Sequence, residues 1–228
     1  MNQSAHVANA LARQIGARRY LEIGVSAGAT FRDIEIVERT GVDPNFLFDI
    51  NGLTNECTRL VASTSDEFFA TEPLSPLYDI VFIDGLHTFE QVVRDFSNAL
   101  VRTHRHSVLI LDDTLPNDVY SAIPDPVATQ RYRKKANVDS GQWHGDVFKI
   151  VFYIHDFWPS LNYRTITGTG NPLTIVWRAN KHSRQPLLNN LEKISRLTYF
   201  DLQEHLEVLR TATSDEAIAQ CVAELEAI

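Results

Sequence analysis

The chain contains little cysteine, and this scarcity excludes two classes of small protein. Only Cys57 and Cys221 occur among its 228 residues, far apart and outside any C-x-x-C spacing. Disulfide-rich folds need more cysteines than this, and zinc-binding folds need them in closely spaced pairs. We therefore expect neither a disulfide framework nor a zinc cluster, and the reducing cytoplasm is the simplest setting.

The chain also lacks long apolar runs and an excess of positive charge. Its first residues have no apolar core of the signal-peptide kind, and no run approaches the roughly 18 residues that span a membrane. The formal net charge of −8 opposes binding to a phosphate backbone. The composition therefore predicts a soluble, cytoplasmic protein that binds neither membranes nor nucleic acid.

What the sequence does contain is an alternation of apolar strands and helical segments. Helical spacing is present at 4–16, 87–101 and 146–158. A helix is also expected to start at SDEFFAT with Ser65 as its cap, and residues 187–228 are predicted to be helical with breaks near Ser195 and Thr213. Strands are predicted at 18–25, 38–43, 57–64, 78–84 and 106–113, and at both halves of the hairpin-like segment 162–178. The alternation predicts an α/β fold: a mostly parallel, seven-stranded sheet with a terminal antiparallel hairpin and helices on both faces.

We expect a single domain over residues 1–228, with an N-terminal helix (1–17), a core (18–180) and a helical C-terminal extension (181–228). Residues 114–146 are predicted to form a long functional loop, because loops of that length are uncommon in compact domains. Its basic segment RYRKK (131–135) is either a solvated face or a recruiting site for an anionic acceptor. In the same loop, His144 lies either in the acceptor pocket or at the surface.

The segment GVSAG (24–28) has two interpretations. It matches G-x-S-x-G, the nucleophile turn of α/β-hydrolases, which would make Ser26 a nucleophile. In those enzymes several strands precede the turn, whereas here it follows the first predicted strand. The segment also fails the G-x-G-x-x-G pattern that binds a pyrophosphate. A cofactor without phosphates, such as S-adenosylmethionine, would not need that third glycine.

Asp43 lies at the distance along the chain from the glycine turn that is expected for an acid that binds the ribose of such a cofactor. Asp43, in GVDP, lies about twenty residues after the first glycine, where dinucleotide folds place their ribose-binding carboxylate. The alternative is that Asp43 simply opens a turn before Pro44. Its combination with LEIGVSAG favours the binding role.

Five segments together resemble the class I S-adenosylmethionine-dependent methyltransferases. They are LEIGVSAGATF, GVDP, TSDEFF, YDIVFIDGLHTFEQVVRDFSNAL and LILDD. The resemblance covers roughly residues 18–180 and is nearest to the metal-dependent O-methyltransferases of sugars and natural products. It implies a Rossmann-like fold, S-adenosylmethionine as cofactor and a small hydroxylated molecule as acceptor.

The resemblance also implies a role for each matched position. The methionine part of the cofactor would be received by Glu22, Gly24, Val25, Ser26, Gly28 and Thr30. Asp43 would bind the ribose hydroxyls, Ser65 and Asp66 would lie near the adenine, and Asp84 would also contact the cofactor. A side chain at either glycine would crowd the ligand against the backbone. Two departures, a short first crossover helix and the insertion at 44–56, bear on the ribose contacts.

Three carboxylates follow predicted strands: Asp84 in FID, and Asp112 and Asp113 in LDD. If the two strands are neighbours, these acids converge, and their repulsion would be relieved by a cation. Carboxylate oxygens suit Mg²⁺ or a similar divalent ion, which in the resembling enzymes chelates the substrate hydroxyl. The alternative is that the acids cap helices or bind the cofactor without any metal.

His87 and Asp84 are the candidate catalytic residues. His87 would be the general base, because an imidazole beside Asp84 can accept the proton of an acceptor hydroxyl near neutral pH. The leading hypothesis is a metal-assisted O-methyltransferase acting on a small molecule. A cofactor-binding protein without catalysis is the second hypothesis, and a serine hydrolase is the third. A homodimer through the C-terminal helices is a further expectation.

Overall fold

The computed structural model describes residues 2–168, 170–180 and 184–228, so residues 181–183 of the predicted C-terminal extension lie outside it. The strands are β1 Arg19–Ile23, β2 Glu38–Val42, β3 Thr58–Val61, β4 Tyr78–Ile83, β5 Thr103–Leu111, β6 Leu161–Ile166, β7 Leu173–Arg178 and β8 Thr211–Ala212. The helices are α1 Gln3–Ile15, α2 Ser65–Thr71, α3 Phe89–Val101, α4 Pro126–Ala136, α5 Lys149–Phe157, α6 Leu191–Ser195, α7 Tyr199–Glu204 and α8 Ser214–Glu226.

The strands form one sheet in the order β3-β2-β1-β4-β5-β7-β6-β8, in which β7 is antiparallel to both of its neighbours. The strand order reverses between β1 and β4, which are adjacent and parallel. In open α/β sheets, ligands bind beyond the carboxyl ends of the strands at this reversal. The fold therefore directs attention to the residues that follow β1, β2, β4 and β5.

Both faces of the sheet are covered, because side chains alternate between faces along each strand. On β5, Leu109 faces the core beneath α3 and α5, whereas Ile110 faces the core beneath α1 and α8. The largest buried side chain, Trp177, belongs to the second core. Among the described residues, no helix has the length and apolarity needed to cross a membrane.

The prediction of seven strands is wrong by one. Thr211–Ala212 pairs in parallel with β6, through Thr165 opposite Thr211, and so adds an eighth strand. A strand of two residues has no periodicity that a sequence pattern could reveal. The antiparallel hairpin, the helix at 149–157 and the helical breaks near Ser195 and Thr213 were predicted correctly.

The predicted loop at 114–146 contains a helix, α4, which begins after the cap Asp125 with Pro126 in its first turn. Its two buried residues are Thr129 and Arg133, so it lacks the apolar stripe by which helices are recognised. Within RYRKK, Arg133 is buried and donates to the Ser140 carbonyl at 2.8 Å, whereas the other four residues are exposed, as a solvated face requires.

Candidate active site at the carboxyl edge of the sheet

A cavity of about 730 Å³ opens beyond the carboxyl ends of β1, β2, β4 and β5. It brings together nine of the residues predicted from the sequence, namely Gly24, Ser26, Asp43, Ser65, Asp66, Asp84, His87, Asp112 and Asp113. A second cavity of about 360 Å³ adjoins it and shares several of these residues. Three further predicted residues, Glu22, Val25 and Thr30, line the second cavity, and Gly28 lines neither.

The two glycines of the turn after β1 are required by the protein itself. Gly24 has φ of +88°, and a Cβ there would overlap the backbone carbonyl of Asp84 at the end of β4. Gly28 has φ of +75°, and its Cβ would come within 2.9 Å of the Phe48 ring. A side chain at Gly24 would therefore prevent β1 from approaching β4, and one at Gly28 would displace the Phe48 ring, in addition to the expected crowding of a ligand.

Asp43 joins the turn after β1 to the end of β2. Its Oδ2 accepts a hydrogen bond from the Ser26 amide at 2.7 Å, and its Oδ1 accepts one from the Asn45 amide at 2.7 Å. These amides fix the carboxylate while each oxygen retains a lone pair. The side chain is 8% exposed and lines the main cavity, where it can accept from a pair of vicinal hydroxyls.

Ser65 and Asp66 begin α2, but the helix cap is Thr64, whose hydroxyl and Glu67 form a capping box. Ser65 was expected to be the cap and is instead the first helical residue. The Gln91 amide donates to Ser65 Oγ at 3.1 Å and to Asp66 Oδ1 at 3.2 Å. The hydrogen bond from Arg94 lowers the pKa of Asp66. Both residues are therefore oriented by α3, although sequence reasoning did not identify Gln91.

The second cavity lies between the turn after β1 and the start of α1, where Asn2 and Ser4 line it. Glu22 is 1% exposed and accepts from the Tyr20 hydroxyl at 2.6 Å. Burial raises the pKa of Glu22 well above its usual range. Thr30 is also buried and its hydroxyl forms no cap hydrogen bond. These groups could hold the amino and carboxylate ends of an amino acid.

His87 lies between two carboxylates at the ends of β4 and β5. Its Nδ1 is 2.7 Å from Asp113 Oδ2 and 2.9 Å from the Trp143 carbonyl, and its Nε2 is 3.5 Å from Asp84 Oδ1. The Nδ1 proton is therefore held by two acceptors, whereas Nε2 makes only one long contact. Asp113 adopts φ of +60°, a conformation that non-glycine residues rarely occupy.

The pKa values in this group are strongly perturbed. Burial lowers the pKa of His87, but its hydrogen bonds to Asp113 and Asp84 outweigh burial and raise that pKa to about 10. Burial raises the pKa of Asp84 to about 6 and that of Asp112 well above its usual range, with neighbouring carboxylates adding to both. Opposing the effect of burial, His87 lowers the pKa of Asp113. In this arrangement His87 is an imidazolium at neutral pH.

Asn171, in the β6–β7 hairpin, ties the adjacent acids together. Its amide donates to Asp112 Oδ1 at 2.6 Å and to Asp113 Oδ1 at 2.7 Å, while its own oxygen is 3.0 Å from His144 Nε2. Among the residues that the structure describes, ligand atoms of Asp84, His87 and Asp113 lie within 4.8 Å of one another. Asp112 therefore approaches this group through Asn171, a residue that sequence reasoning missed.

Trp143 forms a wall of the same cavity. Its ring stacks on the His87 imidazole with a centroid separation of 4.7 Å and an interplanar angle of 14°. His144 also lines the cavity and is 1% exposed, so it belongs to the pocket and not to the surface. Both residues come from the predicted loop 114–146, in which the sequence singled out His144 but not Trp143.

Ser26 has none of the partners of a catalytic serine. It is exposed, with φ of +48°, and its amide donates to Asp43. Within residues 2–168, 170–180 and 184–228, no histidine is hydrogen-bonded to its hydroxyl. A serine nucleophile needs such a base, so the geometry disfavours the hydrolase interpretation.

Comparison with known proteins agrees with this architecture. Residues 21–114 match the profile of a family described as a methyltransferase domain. No curated protein sequence matches the chain. The fold resembles the O-methyltransferase TomG of Streptomyces achromogenes, involved in tomaymycin synthesis and solved with S-adenosylmethionine. The identity is 15% over 78% of this chain and 80% of that chain, with a TM-score of 0.51.

Two further solved structures have the same fold. A candidate caffeoyl-CoA O-methyltransferase from Staphylococcus aureus is 15% identical over 78% of this chain and 84% of that chain, with a TM-score of 0.56. The methyltransferase PaMTH1 from Podospora anserina, bound to S-adenosylhomocysteine, is 10% identical over 78% of each chain, with a TM-score of 0.54. The predicted Rossmann-like methyltransferase fold is thereby confirmed.

Proposed function

We propose that this protein, which has the class I methyltransferase fold and whose residues 21–114 match a methyltransferase-domain family, methylates a hydroxyl oxygen of a small molecule. The methyl donor is S-adenosylmethionine, and the acceptor is a sugar or another polyhydroxylated metabolite. One observation carries this proposal: a single cavity connects Asp43, Ser65 and Asp66 with Asp84, His87 and Asp113. The residues proposed to bind the cofactor thus share one cavity with a group of acids and a histidine.

The residues beyond β1 and β2 fit the cofactor. Asp43 would bind the ribose, Ser65 and Asp66 would contact the adenine, and the methionine part would extend toward Glu22, Val25 and Thr30 in the second cavity. Gly24, Ser26 and Asp84 line both cavities and would lie where the two parts of the cofactor join. Gly28 contributes the turn conformation. S-adenosylmethionine supplies a methyl group activated by its sulfonium charge.

The acids beyond β4 and β5 fit a divalent cation such as Mg²⁺. Burial, with neighbouring carboxylates adding to it, raises the pKa values of Asp84 and Asp112, and a bound cation would favour the ionised form of both. Asp84 and Asp113 would hold it, with Asp112 as third carboxylate once released by Asn171. When bound, the ion orients the acceptor hydroxyl and lowers its pKa.

His87 would take the acceptor proton at Nε2, because Nδ1 is already committed to Asp113 and Trp143. Its pKa of about 10 must first fall toward neutrality. A cation on Asp84 and Asp113 would have that effect, since it would compensate the charge that now stabilises the imidazolium. Leu86 and Trp143 flank His87 and offer an apolar wall to the ring of an acceptor.

The test is transfer of labelled methyl from S-adenosylmethionine to a panel of sugars, polyols and phenols, with Mg²⁺ and after treatment with a chelator. We expect transfer to at least one hydroxylated acceptor, lost with chelator and restored by Mg²⁺. Transfer that is indifferent to chelator would remove the cation from the proposal. Cofactor binding without transfer to any member of the panel would favour a non-catalytic cofactor-binding protein.

A further inference from the structure

Four consecutive residues, Trp143 to Asp146, surround the turn that carries His87; we call them the 143–146 clamp. Trp143 stacks on the imidazole, and its carbonyl accepts from Nδ1. Asp146 Oδ1 accepts from the Phe89 amide at 2.7 Å, at the start of α3. The ring, the ring proton and the following helix are thus all contacted by one short segment.

Gly145 makes the approach of the clamp to His87 possible. Its φ is +61°, and a Cβ at this position would overlap the carbonyl carbon and oxygen of His87. Any other residue would have to push the clamp away from the turn, because the obstacle is backbone that cannot rotate aside. Gly141 lies four residues earlier, and a Cβ there would meet no heavy atom of the described residues within 4 Å, so this glycine provides a matched control.

Lys149, the first residue of α5, contacts the clamp through Asp146. Its Nζ donates to Asp146 Oδ2 at 2.7 Å and to the Ser195 carbonyl at 2.7 Å. Lys149 and Asp146 are 7% and 5% exposed, so the ion pair is shielded from water. Ser195 ends α6 in the C-terminal extension. A continuous path therefore runs from the extension through Lys149 and Asp146 to the helix that follows His87.

We propose that the 143–146 clamp fixes His87 between Asp84 and Asp113, and that Lys149 is a positioning residue through which the C-terminal extension holds the clamp. This inference rests on the proposed function, since it assigns a role to His87 in methyl transfer. On this proposal, the segment 114–146 and the C-terminal extension both help to position His87. The Lys149 ammonium donates to Asp146 and to the Ser195 carbonyl and does not contact His87 or Trp143, so its effect on His87 passes through Asp146.

The first experiment compares Gly145→Ala with Gly141→Ala. A misplacement of about 1 Å at a reacting group can cost about 100-fold in rate, so we expect kcat to fall about 10- to 100-fold for Gly145→Ala. Cofactor affinity, measured by calorimetry, should stay within about twofold, because the predicted cofactor residues lie on other elements. Gly141→Ala should match the parent in both. Equal kcat for the two variants would overturn the proposal.

The second experiment measures the fluorescence emission of Trp143, which reports the contact between the clamp and His87 and does not depend on methyl transfer. The emission of Trp143 is isolated by subtracting the spectrum of the same protein with Trp143→Phe, and His87→Ala supplies the emission without the stacked ring. Lys149→Met and the milder Asp146→Asn, which keeps an oxygen for the Phe89 amide, should shift the Trp143 emission toward that of His87→Ala. Lys149→Arg should restore part of the parent emission.

The two experiments separate this inference from the proposed function. If no acceptor is methylated but Lys149→Met and Asp146→Asn still move the Trp143 emission, the clamp stands and the reaction assignment fails. If methyl transfer is observed and Asp146→Asn, with cofactor affinity intact, changes neither the emission nor kcat, the clamp is overturned while the reaction assignment survives.

Discussion

The cavity has two halves whose carboxylates differ in their surroundings. We call the part beyond β2, with Asp43 and Asp66, the binding half, and the part beyond β4 and β5, with Asp84, Asp112 and Asp113, the charged half. Beyond β2, Asp43 accepts hydrogen bonds from two backbone amides, and the hydrogen bond from Arg94 lowers the pKa of Asp66. Beyond β4 and β5, Asp84 and Asp112 have raised pKa values. The pKa of Asp66 and those of Asp84 and Asp112 are thus shifted in opposite directions, and we propose that a divalent cation binds beyond β4 and β5.

The largest effect should come from the charged half. Asp113→Asn removes the partner of His87 Nδ1 and one proposed cation ligand. We expect methyl transfer to fall at least about 100-fold, within the range seen for acid–base groups and metal ligands. Cofactor affinity should be retained. Asp139→Asn, at an exposed position, is the control in a steady-state assay, and full activity of Asp113→Asn would refute the assignment.

The complementary change in the binding half is Asp43→Asn. The amide keeps one acceptor for the Ser26 backbone but loses the charge and one acceptor site. Charge-assisted hydrogen bonds contribute about 1.5–3 kcal/mol, so the Kd for the cofactor should rise about 10- to 100-fold. Calorimetric titration measures it. A lower kcat at saturating cofactor with an unchanged Kd would contradict the division between the two halves.

The charged half also predicts how stability depends on pH in metal-free protein. The folded pKa of His87, about 10, exceeds its ordinary value near 6.5, so its stabilisation is present below about pH 6.5 and is lost as pH rises through 10. The folded pKa of Asp84, about 6, also exceeds its ordinary value, so the free energy of unfolding falls further as pH rises from about 4 to 6.

Chemical denaturation across this pH range measures the effect. Between about pH 7 and 9 the free energy of unfolding should fall by up to about 1.4 kcal/mol per pH unit, the limit for one proton. His87→Gln should flatten that part of the curve. A parent protein whose stability rises over the same interval would show that the His87 contacts are not formed in solution.

The smallest effect is expected at Ser26. Ser26→Ala keeps the amide that donates to Asp43, so methyl transfer should change by no more than about twofold. Covalent labelling by a serine-directed phosphonate should be absent from the parent. Labelling at Ser26 that abolishes activity would revive the hydrolase interpretation.

The sequence predicted the parts of this site that lie on regular elements. Asp84 and Asp112 each follow an apolar strand, and their convergence required only that β4 and β5 pair, which they do. Asn171 and Trp143 were missed because both lie in connections, where no periodic signal reports which loop folds back over the sheet. Asn171, within GTGNP, has the composition of an ordinary turn.

Two physical causes also lay beyond sequence reasoning. Gly24 was expected to be glycine because of the ligand, and the structure adds a second reason, the approach of β1 to the Asp84 carbonyl, which depends on sheet packing. The base assignment for His87 used the ordinary imidazole pKa, whereas the pKa of about 10 arises from the distances to two carboxylates. Charge and burial at this scale are properties of the assembled site.

We propose that the acids beyond β4 and β5 bind a divalent cation independently of Asp43. Calorimetric titration of Mn²⁺ or Mg²⁺ into chelator-treated protein, saturated with S-adenosylhomocysteine, tests this directly. We expect one bound ion in the parent and in Asp43→Asn, and a loss of that binding in Asp113→Asn. Absence of binding to the parent, or equal binding by Asp113→Asn, would contradict it.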